Sequence, residues 1–161
     1  DKILCAKYRK NHFEGVIDVM ERLIKKVKPQ KIFMGEKDYQ QLYLLKKYLK
    51  KYSSKMVKCK TIRDKNKLAL SSRNLHLNKK SLTIAENISQ NLISFKNNLK
   101  KQNNLKKTVL IKKNQLSKLY NVKIEYLELR NKTNLKNIYK TKNSKLFVAY
   151  YLNNIRLIDN F

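Results

Sequence analysis

The chain has 161 residues and a mass of 19.3 kDa, with 39 Lys+Arg against 11 Asp+Glu and a formal net charge of +28. That length suits one ordinary domain or two small ones, and 42% hydrophobic residues leave enough for a sizeable core. No apolar run approaches the roughly 18 residues of a membrane span, and Cys5 and Cys59, without a CxxC or a histidine cluster, exclude a disulfide scaffold and a zinc module.

The charge itself says less than its size suggests. Only six of the 39 basic residues are arginine (9, 22, 63, 73, 130 and 156), leaving 33 lysines, and asparagine occurs 19 times against two glycines and one proline. Lys, Asn, Ile and Tyr have A/T-rich codons, so a base bias in the genome accounts for much of the excess. Nucleic-acid binders concentrate charge on one face and use Arg for bidentate contacts; here the lysines run along the whole chain. No nucleic-acid partner is expected, and two unpaired cysteines fit a cytoplasmic setting. Residue 1 is Asp, and the first residues carry neither a signal-peptide nor a transit-peptide pattern, so the chain reads as part of something longer.

Phe13, Val16, Ile17, Met20, Leu23, Ile24 and Val27 recur at helical spacing, and Pro29 stops the pattern. Lys31–Gly35 is a short apolar run ending in Gly, which predicts a buried strand. Asp38–Tyr52 carries Leu42, Leu45 and Leu49 on one stripe and predicts a second helix, and 56–62 a second strand. Helix, strand, helix and strand with short joints imply parallel strands and an α/β sheet.

After Ile62 the pattern changes. Arg63–Asn74 is polar and reads as a loop. Asn78 is an N-cap candidate for a long helix with Leu82, Ala85, Ile88, Leu92, Phe95 and Leu99 on one side. A second helix follows at about 105–120, then alternation at Val122, Ile124 and Tyr126 predicts a strand. Two apolar runs, 146–152 and 155–158, flank Asn153-Asn154, and Asn tolerates the positive φ of a tight hairpin. The expected organisation is the end of an α/β domain over 1–62, followed by a small α+β domain over 63–161.

Two segments carry chemistry. Gly35-Glu36-Lys37-Asp38-Tyr39-Gln40-Gln41 runs from a strand end into a helix, where α/β sheets bind ligands and helix N-termini offer N–H groups to anions. Gly35 permits close approach to the backbone, and Lys37 supplies a point charge for phosphate. Asp38 offers a hard oxygen for Mg²⁺, and Gln41 a donor and an acceptor for a polar substrate. The bland alternative is an ordinary first helical turn. Leu70-Ser71-Ser72-Arg73-Asn74 sets two hydroxyls before an Arg on a loop, suited to gripping phosphate oxygens; its bland alternative is a polar turn before a helix. His76 is expected as a surface or packing residue rather than a base, and His12, beside Arg9, is either placed to meet an anion or simply part of a helix start.

Taken together these segments resemble one family in order and spacing. Phe33-Met34-Gly35-Glu36-Lys37-Asp38-Tyr39-Gln40-Gln41-Leu42 followed by Leu68-Ala69-Leu70-Ser71-Ser72-Arg73-Asn74 is the strongest signal. His12–Val16, Ile62-Arg63, Tyr126-Leu127-Glu128-Leu129-Arg130 and Arg156-Leu157-Ile158-Asp159-Asn160 extend it across the chain. The sequence resembles the C-terminal portion of the pantothenate synthetase (pantoate–β-alanine ligase) family.

The resemblance implies a Rossmann-like nucleotidylyltransferase domain completed by a small α+β domain that caps ATP. It implies condensation of pantoate with β-alanine through a pantoyl adenylate, with ATP and Mg²⁺, in a cytoplasmic homodimer. By it, Gly35, Glu36, Lys37 and Asp38 belong to the ATP site, with Lys37 on phosphate and Asp38 on Mg²⁺. Gln41 binds pantoate, and Ile62 lies beside the adenine. Leu70, Ser71, Ser72 and Arg73 form a mobile phosphate-gripping loop, and Lys37 and Arg73 stabilise phosphate charge. The chain departs from the family at Arg9-Lys10-Asn11, where Arg-Pro-Gly is usual, and at Asn66-Lys67, where Asp-Gly is usual, which puts the path of the loop before Ser71 in question. The family's His-x-Gly-His signature does not occur in this sequence. The chain is therefore expected to hold one wall of an active site and not to complete the reaction alone. Two rivals remain: a basic module for polyanions, and an adenylate-forming enzyme with another carboxylate substrate. The family reading requires Lys37, Asp38, Gln41, Ser71, Ser72 and Arg73 to meet in one cleft.

Overall fold

A computed structural model describes residues 3–161. The chain divides into two compact units, one ending at Thr61 and one running from Ile62 to Phe161.

In the first unit a short helix α1 (Cys5–Tyr8) precedes α2 (His12–Val27), whose end is set by Lys28 in the left-handed conformation, its N–H returning to the Ile24 carbonyl just before Pro29. Strand β1 (Lys31–Gly35) runs into a 3₁₀ turn at Glu36–Asp38 and then α3 (Tyr39–Tyr48); β2 (Lys55–Cys59) follows. β1 and β2 pair in parallel, Ile32 opposite Met56 and Gly35 opposite Cys59. Ile24, Leu45 and Leu49 form the buried centre, against which Ile32 and Met34 pack.

Three expectations are corrected here. β1 is covered on one face only: Ile32 and Met34 are half-buried, whereas Phe33 is 66% exposed. Parallel sheets in α/β proteins are normally covered on both faces; within this unit the core cluster lies on the Ile32 and Met34 side alone. Leu23 and Val27, on the apolar stripe of α2, are exposed as well. The second strand stops at Cys59 rather than reaching Ile62.

The second unit closes a core of its own. α4 (Lys79–Asn98) is capped by the Asn78 side chain, which accepts from the Ser81 N–H at 2.8 Å, and α5 (Leu105–Tyr120) by Asn104. Strands β3 (Lys123–Asn131), β4 (Ser144–Leu152) and β5 (Ile155–Asn160) form an antiparallel sheet in that order. Asn153 and Asn154, with φ of 46° and 65°, make the β4–β5 turn. Ile88, Leu92 and Leu116 from the helices and Leu129, Leu146 and Val148 from the sheet are all buried in one cluster.

The alternation of β3 breaks between Ile124 and Tyr126, where the register against β4 shifts. The bulge re-aims one residue, Glu125. Its nearly buried carboxylate accepts from the Tyr151 hydroxyl at 2.8 Å and from Arg156 at 2.7 Å. Burial alone would raise the Glu125 pKa, but the hydrogen bonds from Arg156 and Tyr151 outweigh it and the group lies below its ordinary value.

Candidate active site

Gly35 ends β1 at its carboxyl edge, and the next three residues, Glu36, Lys37 and Asp38, form the 3₁₀ turn that opens α3. In this position the backbone and side chains lie just beyond a parallel strand, the usual place for a ligand in an α/β sheet. Gly35 has φ of −69° and ψ of 134°, a conformation open to any residue, and a Cβ built on it would meet nothing within 4 Å. The chain's own packing gives no reason for glycine there.

Glu36 is engaged by the Lys58 ammonium at 3.0 Å, and that hydrogen bond raises the Lys58 pKa. Lys37 is half-buried and Asp38 exposed. Burial raises the Tyr39 hydroxyl. Gln41 is half-buried at the start of α3. Its neighbour Gln40 is 7% exposed and ties down the start of the chain: its carbonyl oxygen accepts from the Cys5 N–H at 3.0 Å and its amide donates to the Ile3 carbonyl at 2.9 Å. Sequence reading missed that role; two adjacent glutamines at a helix start give no sign of which one turns inward. At the start of α2, Arg9 and His12 are hydrogen-bonded at 2.7 Å.

The other predicted residues lie in the second unit. Arg63 bridges Ala69 in antiparallel fashion, and the Leu70 N–H donates to the Ile62 carbonyl at 3.0 Å. The turn between them is knit by Asp64, whose carboxylate accepts from the N–H groups of Asn66 and Leu68, each at 2.9 Å. Lys67 sits at φ 72°. The turn therefore holds a left-handed position that glycine would occupy without strain, and Lys67 carries that strain.

Beyond Leu70, Ser71 caps a 3₁₀ helix at Ser72–His76 and accepts from the Arg73 N–H at 3.3 Å. Ile62, Leu70, Ser72 and His76 are exposed, so of the two places open to His76 it takes the surface. The Arg73 guanidinium donates to the Arg156 carbonyl at 2.9 Å, which ties the loop to β5. A polar turn and the hydroxyls and guanidinium expected to grip phosphate thus occupy the same few residues.

Among the described residues no group of three or more His, Cys, Asp or Glu could enclose a metal, and no helix is long and apolar enough to cross a membrane.

A strand–turn–helix unit with polar groups at the carboxyl end of a parallel strand, followed by a unit with its own antiparallel sheet, defines a mixed α/β protein. The pantoate-beta-alanine ligase family profile matches residues 1–161, and the chain belongs to that family. It is 37% identical over 164 residues to the pantothenate synthetase of Ruthia magnifica subsp. Calyptogena magnifica, covering 99% of this chain and 58% of that protein. The crystal structure of pantothenate synthetase from Thermus thermophilus superposes with a TM-score of 0.90 at 26% identity, over 99% of this chain and 59% of the other. That of pantoate-beta-alanine ligase from Francisella tularensis, complexed with beta-gamma ATP and beta-alanine, gives 0.74 at 32% identity, over 99% and 54%. The chain thus spans a little under three-fifths of the length of these relatives.

Proposed function

We propose that this chain forms the nucleotide-facing part of an ATP-dependent ligase that joins pantoate to β-alanine and releases AMP and pyrophosphate. The observation that carries the reading is Gly35: one of only two glycines in the chain, unrequired by backbone or packing, at the strand edge that leads into Lys37, Asp38 and Gln41. Without a Cβ the backbone at that strand edge stays open to close approach, which suits a phosphate chain; Gly15, equally free of contacts, lies inside α2.

In the first step a pantoate carboxylate oxygen attacks the α-phosphorus of ATP, the bond to the β-phosphate oxygen breaks, and pyrophosphate leaves. In the second the β-alanine amine attacks the acyl carbon, loses a proton, and expels AMP. The protein's share is positioning and charge stabilisation. Lys37 and Arg73 offset charge on the phosphates, Ser71 and Ser72 donate to phosphate oxygens, and Gln41 orients pantoate. Leaving its Arg156 carbonyl is what frees Arg73 for this work. The Ile62 backbone lies against the adenine, and the second unit caps the nucleotide.

One exposed carboxylate, Asp38, fits Mg²⁺, which binds through one or two carboxylates and the nucleotide's own oxygens rather than a protein cage. Bound there, Mg²⁺ would neutralise phosphate charge. The same reading carries nucleotidylyltransferase ancestry, a cytoplasmic location and a homodimer for the protein as its cell makes it.

The test is exchange of labelled pyrophosphate into ATP by that protein, with pantoate and without β-alanine. Pantoate-dependent exchange is expected. Exchange that ignores pantoate, or that a different carboxylate supports better, overturns the assignment.

A further inference from the structure

Arg63 and Asp159 have no role in the reaction above, yet the fold joins them across 96 residues. The Arg63 guanidinium forks onto the Asp159 carboxylate, Nη1 to Oδ2 at 2.6 Å and Nη2 to Oδ1 at 2.9 Å. The Asp159 side chain is only 5% exposed and that of Arg63 19%. The guanidinium also donates to the Lys67 carbonyl at 2.9 Å and the Asn160 carbonyl at 3.2 Å, and lies over the Phe161 ring at 4.8 Å.

A buried ion pair is a poor stabiliser, because desolvation cancels most of its attraction, and an apolar pair of similar volume often does as well. Its distinctive property is geometric: a bidentate fork fixes distance and plane together. Here the fork fixes the two-rung ladder of Ile62–Asp64 against Leu68–Leu70, from which Ser71–Arg73 project. The same segment is also held by burial of Leu68 and Ala69, the Asp64 carboxylate within the turn, the Gln90 amide on the Asn66 carbonyl, the Asn74 amide on the Ala69 carbonyl, and Arg73 on the Arg156 carbonyl; of these only the last also reaches β5.

We propose that Arg63 and Asp159 are positioning residues for the nucleotide: their fork holds the Ile62 backbone and the base of the Leu70–Arg73 loop in register with β5, so that ATP meets a preformed purine edge and a phosphate loop anchored at its root. The inference rests on the ligase reading and adds a specificity to it. The pair serves ATP and not pantoate, whose glutamine, Gln41, lies in the other unit.

Asp159→Asn keeps volume and removes one charge, while Arg63→Lys keeps charge and loses the fork; the second stands in should the first not fold. In each, KM for ATP is expected to rise about tenfold, the scale of one weakened charged hydrogen bond, with KM for pantoate and β-alanine unchanged. Hydrogen exchange at the Leu68 and Leu70 amides should quicken by a similar factor while that at Val148 in β4 holds. Faster exchange with an unchanged ATP KM, or all three KM values rising together, overturns the proposal and leaves a purely structural pair. All of these measurements use the protein as its cell makes it; if that wild type shows no pantoate-dependent turnover, the ligase reading fails instead. Calorimetric ATP affinity then decides the clamp: a tenfold loss in the variants supports it, and no loss overturns it.

Discussion

The two units treat apolar side chains differently. From Ile62 onward the sheet and two helices bury Leu92, Leu116, Leu146 and Val148 almost completely. Before Thr61 a similar supply of apolar residues leaves Val19, Leu23, Val27 and Phe33 at least half exposed. An antiparallel sheet can close a core with helices on one face, whereas parallel strands need cover on both. The second unit thus closes the larger core, though it leaves Leu75, Leu110 and Leu119 exposed, while the first leaves Phe33 on β1 and Val19, Leu23 and Val27 on α2 uncovered by its own residues.

The sharpest way to break this contrast is truncation of buried and exposed side chains in parallel. Leu92→Ala should cost about 2–5 kcal/mol of stability, since Leu92 is fully buried in the larger core. Phe33→Ser, though it removes a larger side chain, should change stability by no more than about 0.5 kcal/mol in this chain. Denaturant unfolding of both variants checks the pair, and equal losses would contradict the description of β1. A smaller effect is expected within the second unit at Lys67. Lys67→Gly should raise stability by up to about 1 kcal/mol, because relief of left-handed strain exceeds the entropy glycine adds to the unfolded chain. Thermal unfolding reads it directly.

A titration sharpens the same comparison. Lys96, half-buried and donating to both the Ser144 hydroxyl and its carbonyl, has its pKa lowered to about 8 by burial and by the neighbouring charges of Lys145 and Lys132. The unfolded chain holds that proton up to about pH 10.5, so between roughly 8 and 10.5 the unfolded state binds more protons. The penalty for Lys96 is therefore full below pH 8 and lifts as pH rises through that window. Lys96→Met should flatten this alkaline gain relative to wild type, as followed by unfolding at fixed ionic strength.

The sequence foretold this fold best where local signals and packing agreed. Asn78 as a cap, the 3.6-residue period of α4 and the Asn153-Asn154 turn all act within a few residues, and each stands where expected. The exposure of Phe33 was not legible, because an apolar strand is read as buried whether or not its neighbours are present. The β3 bulge was invisible for another reason: alternation registers side-chain faces, and one extra residue in a ladder leaves no compositional trace. At the candidate site, Gly35–Gln41 could be picked out from residue types and order. The inward turn of Gln40 and the long-range fork between Arg63 and Asp159 depend on tertiary geometry, so they emerge only in the folded chain.

The central claim is that the Gly35–Gln41 strand edge handles the triphosphate, and Lys37→Ala in the pyrophosphate-exchange assay tests it most directly. Loss of a charge contact at the reacting phosphates should lower pantoate-dependent exchange by about a hundredfold or more, with thermal stability retained. A folded Lys37→Ala protein that exchanges at the wild-type rate would contradict the account.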